Sequence, residues 1–569
     1  MKKIICGIII TLTVWITGCT GMIDMTPESD VTFNSFFNSV KDAEALLTSL
    51  EVALRDAATG DNVNQLYIGW IADTVSNSYA PYREFSPSTI EMSWAASFTA
   101  INSADVIIEN AHRFPADVDV TPYVLQAYFA KGLLYFNLAR RWGEAPIRKD
   151  YNDYSKLGKS SVHEVLEVAT VCALKALDLP VFDELKDGNG NARTTKQYAS
   201  KGAAAALLAH IYAWRAEIES VPEYWAEAEK YCSMIIEGKA GNYTLASDPE
   251  ALCQNEMLRN GNETIWEIYR GPQEYYGKYN AYCAEEYTGF PVRTESRYAP
   301  TPTFGNYLVE IYRERVNKMF HPEDRRRDAY FYGLDADSLF VVYNKGTKKQ
   351  FALAVEYRPE GNVYTKYDNS KKCTVVRDLF LEEGDSIVTG GRFGNTKRAY
   401  VIKHRNPYYV EYDYSMEPIF KCYDENKVVW RLADIILLRA ECRARQDARS
   451  GGAISDLNRV RERAYGNTTF NYPCADDVVK GLDSDLRLAI FREREKELMF
   501  EDHRYYDVVR NGWGRDGGRD YVRTELTPAA SRLTDQDILD GALYMSVASS
   551  AFKNNDLMRQ NVYWNRKKQ

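Results

Sequence analysis

Histidine is scarce in this sequence of 569 residues, with six in all, at positions 112, 163, 210, 321, 404 and 503. None forms an HExxH pair, no serine stands in a G-x-S-x-G elbow, and neither a P-loop nor a dinucleotide fingerprint occurs. Nothing in the chain therefore points to an enzyme, and no cofactor or metal is expected. Asp335-Ala336-Asp337 has the residue types for calcium but reads as an exposed turn. Of the ten cysteines, the eight after Cys6 and Cys19 are widely spaced, with no CxxC pair and no zinc-like rhythm. Positive charge is not in excess: 71 basic against 80 acidic residues leave a net charge of −9, which argues against indiscriminate binding to nucleic acid or anionic lipid. Past the first nineteen residues no run of eighteen apolar residues occurs, so no integral membrane span is expected there. What the chain has in quantity is tyrosine, 41 residues, with 10 tryptophans beside it. These amphipathic rings suit interfaces and wet binding sites, and they also fill cores. A composition that is 45% hydrophobic and 27% charged is that of an ordered globular protein.

The start of the chain carries an address. Lys2 and Lys3 precede a mostly apolar run from Ile4 to Ile16, which is too short to span a bilayer and has the length of a signal peptide's central region. Ile16-Thr17-Gly18-Cys19 follows and resembles the bacterial lipoprotein box, in which the cysteine is lipidated and becomes the first residue. Residues 1–18 are then a leader, Cys19 is the lipidation site, and 19–38 is a tether. Acyl chains contribute roughly 0.8 kcal/mol per buried CH₂, enough for several together to anchor a soluble body.

Hydrophobic spacing predicts helices over 42–54, 92–110, 123–142, 161–179, 195–218 and 224–237, joined by short connections that suit antiparallel pairs. Lys131-Gly132 recurs as Lys201-Gly202, close to two repeats of the tetratricopeptide type. A glycine inside a helix costs stability but lets a neighbouring helix approach closely. Residues 39–240 thus read as a helical body. From 241 to 425 Gly, Pro, Asn and Asp punctuate short alternating runs at 338–343, 352–357 and 398–402, the texture of a loop-rich lobe with short strands. Helices resume at 430–445, 454–464 and 486–500 within a C-terminal part, 426–569, whose irregular tail is expected to pack back on the body. The expected fold is mainly α, a superhelix of helix pairs with a variable lobe.

Several motifs, taken in order, resemble the SusD/RagB-like outer-membrane nutrient-binding lipoproteins of Bacteroidetes. Behind Cys19 stand Trp94-x₆-Ile101-Asn102, Ala139-Arg140-Arg141-Trp142-Gly143-x₂-Pro146, and Lys201-Gly202-Ala203. Arg431-Leu432-Ala433-Asp434-Ile435, Leu457-Asn458-x-Val460-Arg461, Arg492-Glu493, and the closing Asn561-Val562-Tyr563-Trp564 complete the set. In the last of these, Tyr563 stands where glycine is commoner in the family. The resemblance implies a surface-exposed lipoprotein that captures oligosaccharides, or in some branches peptides, for a SusC-like TonB-dependent transporter, without hydrolysing them. Its contact with the membrane would be through the lipid anchor alone.

A sugar site needs ring faces for the apolar side of a pyranose and polar side chains for its hydroxyls. Two non-periodic stretches hold that mixture. The first carries Trp70, Asp73, Asn77, Tyr79, Tyr82 and Arg83; the second carries Tyr275, Tyr276, Tyr279, Tyr282, Tyr287, Arg293 and Arg297. The resemblance favours both as ligand loops. The plainer alternative is that these tyrosines pack irregular loops or meet the transporter. Glu497, Glu501 and Arg504, spaced by four and three, are expected to face one another along a helix surface as a structural network rather than a catalytic carboxylate pair. Asp434 and Glu441 are expected to pair with Arg431 or Arg461, His210 to sit at a surface or boundary, and Trp94 and Trp142 to lie in the core.

Overall fold

The computed structural model describes residues 36–59, 72–75, 91–270, 309–332, 334, 338–344, 350–357, 385–387, 398–404, 407–410, 419–512, 519–526 and 528–567. Six helices build the first half: α1 (Val40–Thr59), α2 (Ala95–Asn110), α3 (Thr121–Trp142), α4 (Val162–Ala176), α5 (Lys201–Ile218) and α6 (Tyr224–Ile236). Each packs on the next in sequence as an arcade of antiparallel neighbours. Local chemistry sets several boundaries. Ser161 and Glu164 form a reciprocal capping box at the start of α4, and Ser200 caps α5. Small residues then let the helices close up. A Cβ on Gly132 would lie 3.1 Å from the Ala169 carbonyl oxygen on α4, and one on Gly202 would lie 2.1 Å from the Tyr243 hydroxyl. The recurring Lys-Gly pair therefore marks two close contacts. Alanines 203 to 206 of α5 are buried, so α5 is surrounded on all sides.

In the second half the main helices are α7 (Leu432–Gln446), α8 (Gly451–Tyr465), α9 (Leu486–Glu497) and α10 (Arg504–Gly512). The central one is α7, which packs against α6, α8 and α9. One core runs through both halves; it includes Trp94, Trp142, Trp214, Trp266, Trp430 and Trp564. The tail closes onto the first half as expected. The Met545 amide donates to the Arg141 carbonyl at 2.7 Å and Lys159 Nζ reaches Asn561 at 2.7 Å, while within the tail the Trp564 indole donates to the Tyr544 carbonyl at 2.6 Å. Among the described residues no helix is long and apolar enough to cross a membrane.

Strands make the lobe. β1 (Thr264–Ile268) pairs antiparallel with β2 (Lys427–Arg431), Trp266 opposite Trp430. A four-stranded sheet runs in the order Ala72–Val75, Val309–Tyr312, Arg398–Val401, Phe331–Tyr332, all antiparallel. A separate three-stranded sheet has Ser338–Asn344 between Gln350–Tyr357 and Asp385–Ile387. Several expectations need correction. The helices expected from 92 and 195 begin at Ala95 and Lys201, the first behind the strand Glu91–Met92 and the second behind the Ser200 cap. The helix expected from 430 begins at Leu432, because Lys427–Arg431 is drawn into β2. The helix expected to reach 500 stops at Glu497, where Phe500 and Asp502 take φ of 64° and 65°. The tail also contains a helix, α10, that was expected to be irregular.

Candidate functional site

Where β2 runs into α7, a cluster of buried charges joins lobe to body. Arg431 donates to Glu501 at 2.7 and 2.8 Å, to Glu263 at 2.6 Å, to the Glu497 carboxylate at 2.8 Å and to the Glu497 carbonyl at 2.8 Å. Arg463 from α8 also reaches Glu497, as does Arg326 at 3.1 Å. Lys403, just after the sheet strand Arg398–Val401, donates to Glu501 at 2.5 Å and to the carbonyls of Glu497 and Met499. Burial alone would raise Glu497, but the Arg463, Arg431 and Arg326 guanidiniums outweigh it and hold this carboxyl well below its usual range. Glu501 is likewise drawn down to about 2, burial being overcome by Arg431 and Lys403. Arg504 does not join this set, contrary to its helical spacing. Because α9 has ended, it turns instead to Glu495 at 2.6 Å and to the Glu525 carbonyl at 2.6 Å.

A second set lies beneath. Asp434 accepts from His210 Nε2 at 2.8 Å and from Arg494 at 2.8 Å, while Glu441 pairs with Arg510 at 2.6 Å. The expected partners Arg431 and Arg461 are thus replaced, since Arg431 serves Glu497 and Glu501, and Arg461 serves Asp477 and Glu493. His210 is buried, not at a boundary, and its ring stacks on Trp430 at 5.7 Å. Burial lowers its pKa, while Asp434 is held well below the carboxylate range by His210, His503 and Arg494 against its own burial. Asp434 is thus held as a carboxylate between the His210 ring and the Arg494 guanidinium.

Above these charges opens a cleft of about 80 Å³, bounded by Asn137, Arg140, Trp266, Trp430, His503 and Tyr506 among others. The Arg140 guanidinium is stacked between the Phe136 and Tyr506 rings at 4.3 and 4.0 Å. Ligand pockets commonly measure roughly 300–1,000 Å³, so this notch admits a side group and not an oligosaccharide. Trp266 and Trp430 are only 1% and 2% exposed, so neither offers a free face for stacking. These lining residues were not singled out as a site from the sequence. Trp266 lies in a strand buried at every position, which removes the alternation that would have marked it.

Of the sequence-derived ligand residues, Trp70, Asn77, Tyr79, Tyr82, Arg83, Tyr275, Tyr276, Tyr279, Tyr282, Tyr287, Arg293 and Arg297 lie outside the described residues, as does Asp335-Ala336-Asp337. The Asp73 backbone lies in the strand Ala72–Val75. The flanks of the two stretches are nonetheless informative. Val75 pairs with Val309 and Ala72 with Ile311 in an antiparallel ladder. The chain that leaves Val75 toward 76 and the chain that arrives at Val309 from 308 therefore meet the sheet at the same end. Among the described residues no group of three or more His, Cys, Asp or Glu is placed to hold a metal ion.

An arcade of helix pairs with a strand-bearing lobe fixed on it by buried charge defines the class: a helical scaffold carrying a surface lobe. The chain belongs to the SusD family of Bacteroidetes outer-membrane proteins, which it matches over residues 262–564; residues 24–213 match a second SusD-like family described as "Starch-binding associating with outer membrane". Among its relatives is a SusD-like protein of Formosa agariphila, 24% identical over 437 residues, covering 75% of this chain and 70% of that one. Another from the same organism is 24% identical over 527 residues, covering 88% and 90%. Solved structures share the fold. A SusD homologue from Bacteroides thetaiotaomicron has a TM-score of 0.63 at 20% identity, covering 92% of this chain and 98% of that one. The surface glycan-binding protein A from Bacteroides uniformis has a TM-score of 0.60 at 16% identity, covering 92% and 99%.

Proposed function

We propose that this protein captures oligosaccharides at the outer surface of the cell and passes them, unhydrolysed, to a SusC-like TonB-dependent transporter. Membership of the SusD family supports the setting, and a lipid on Cys19 would supply the anchor. The observation that carries the ligand reading is the ladder between Ala72–Val75 and Val309–Tyr312. Its register brings the chain that leaves Val75 toward residues 77–83 and the chain that enters at Val309 from the side of residues 275–297 to one end of one sheet. Tyr79 and Tyr276 are the ring positions on which this reading rests. The cleft of about 80 Å³ over Trp430 is too small for an oligosaccharide and plays no part in this reading.

Calorimetric titration of residues 20–569 against soluble plant, host and microbial polysaccharides and mixed peptides tests this. Saturable heat with one glycan class is expected, weakened about tenfold by Tyr79→Ala or Tyr276→Ala, the loss of roughly 1.4 kcal/mol of ring contact. Heat with peptides and none with glycans would replace this reading, and turnover of any glycan would overturn the absence of hydrolysis.

A further inference from the structure

Helices α6 and α7 meet along a seam of small residues, with Ala228, Ala440 and Ala444 buried. Polar ties at its edge fix the register. Arg439 Nη1 reaches Ser233 Oγ at 3.4 Å, Arg443 Nε donates to Glu229 at 2.7 Å, and Gln446 Nε2 donates to the same carboxylate at 2.8 Å. Residue numbers fall on one helix as they rise on the other, so the two run antiparallel. At the level these ties define, Cys232 of α6 and Cys442 of α7 stand opposite each other. Both are wholly buried free thiols, and Cys442 is among the neighbours that, after burial itself, push the Cys232 thiol up. Neither takes part in the charge cluster or lines the cleft.

We propose that Cys232 and Cys442 are joined by a disulfide in the exported protein, a covalent staple between the last helix of the first half and the central helix of the second. A disulfide needs Cβ atoms roughly 3.5–4.5 Å apart, a spacing that a seam of alanines favours. Two S–H bonds break and one S–S bond forms. The two protons and two electrons pass to the disulfide of an exported thiol–disulfide oxidoreductase, which becomes its dithiol through a mixed-disulfide intermediate. Burial pushes the Cys232 thiol up, so its reactive thiolate is suppressed once the helices have docked. Oxidation therefore belongs to the interval before α7 closes on α6. The proposal rests on residues 1–18 acting as an export leader.

Full-length protein produced with its own leader in a bacterium with an oxidising envelope is denatured in an alkylating reagent without reductant, digested and mapped by mass spectrometry. The expected product is a linked peptide pair carrying Cys232 and Cys442, about 2 Da lighter than the two thiol peptides together and separated by dithiothreitol. Recovery of both cysteines alkylated overturns the proposal, and so does either one linked to a different cysteine. The same digest reports the state of Cys19. Reduced thiols in a chain lipidated there defeat the disulfide alone, whereas reduced thiols in a chain that keeps residues 1–18 defeat the export premise with it. Reductant is expected to lower the wild-type melting midpoint by about 5 °C and to leave that of a Cys232→Ser, Cys442→Ser variant unmoved. A wild-type midpoint that reductant does not shift counts against the staple.

Discussion

Replacing Arg431 by methionine removes the hub of the buried cluster while keeping most of its volume. Arg431 makes five hydrogen bonds, four to carboxylate oxygens of Glu263, Glu497 and Glu501 and one to the Glu497 carbonyl. Breaking a buried ion pair by deleting one partner costs about 3–5 kcal/mol, because a charge is left without its counter-ion. Here Lys403, Arg463 and Arg326 still attend the same carboxylates, which argues against the top of that range. A loss of about 4 kcal/mol near neutral pH is expected. The loss should also depend on pH. With Arg431 gone, burial favours protonation of at least one of these carboxyls, raising its folded pKa above the unfolded value. Such a group binds more protons folded than unfolded, so the variant regains stability as pH falls. The deficit is expected to shrink by about 1–2 kcal/mol between pH ~7.5 and ~5.5. Urea unfolding followed by tryptophan fluorescence at both pH values measures it. A deficit below about 1 kcal/mol, or one equal at both pH values, refutes the assignment of Arg431 as the counter-ion that makes this burial tolerable.

Other groups yield further expectations. Burial raises Glu51 to about 7 despite its bond from Gln197, so the folded state favours its protonated form and loses stability as pH climbs from about 4.5 through 7. Glu51→Gln should remove that loss, stabilising the chain by about 3 kcal/mol above pH ~8 and little at pH ~4.5; equal urea midpoints at the higher pH would contradict this. Glu501 shows the opposite sign. Its folded pKa of about 2 means its contribution is full above about pH 4.5 and drains away as pH falls toward 2, so an acid titration that left stability unchanged at pH ~3 would exclude it. Gly202→Ala sets a methyl 2.1 Å from the Tyr243 hydroxyl and 2.9 Å from the Ala240 carbonyl oxygen. It should cost about 1–3 kcal/mol, a cost that Tyr243→Phe, which removes the nearest atom, should partly relieve; no relief in thermal melting would place the clash elsewhere.

The helical half was legible because most of its helices carry an apolar stripe and end on recognisable residues, whereas α5, buried on all sides, is marked by its run of alanines. The helix expected over 123–142 is Thr121–Trp142, and that over 224–237 is Tyr224–Ile236. The short strands expected at 338–343, 352–357 and 398–402 are present as Ser338–Asn344, Gln350–Tyr357 and Arg398–Val401. β1 was missed because a strand buried along its whole length shows no alternation, and the first residues of β2 carry no feature separating them from the helix that follows. The charge network was read in one dimension. Glu501 reaches Arg431 across the fold and Asp434 finds His210 from another half of the chain, pairings that no local spacing encodes. Of the candidate ligand residues, those at 70–83 and 275–297 were chosen by composition. The antiparallel ladder adds the spatial relation between their flanks that composition lacked.

That ladder also dictates an order of assembly. Residue 72 waits for residue 311, and residue 399 pairs with 311 in turn, whereas α1 to α6 each find their partners among near neighbours. Closing so long a loop costs more entropy than closing a helix hairpin, and contacts distant in sequence form slowly. During synthesis or export from the N-terminus the helical trunk can be standing before its first sheet strand has anything to pair with. A nascent chain halted short of residue 309 would hold helix pairs that lack both this sheet edge and the part of the core that α7 to α10 supply. The sheet itself can close only once residue 401 has been made.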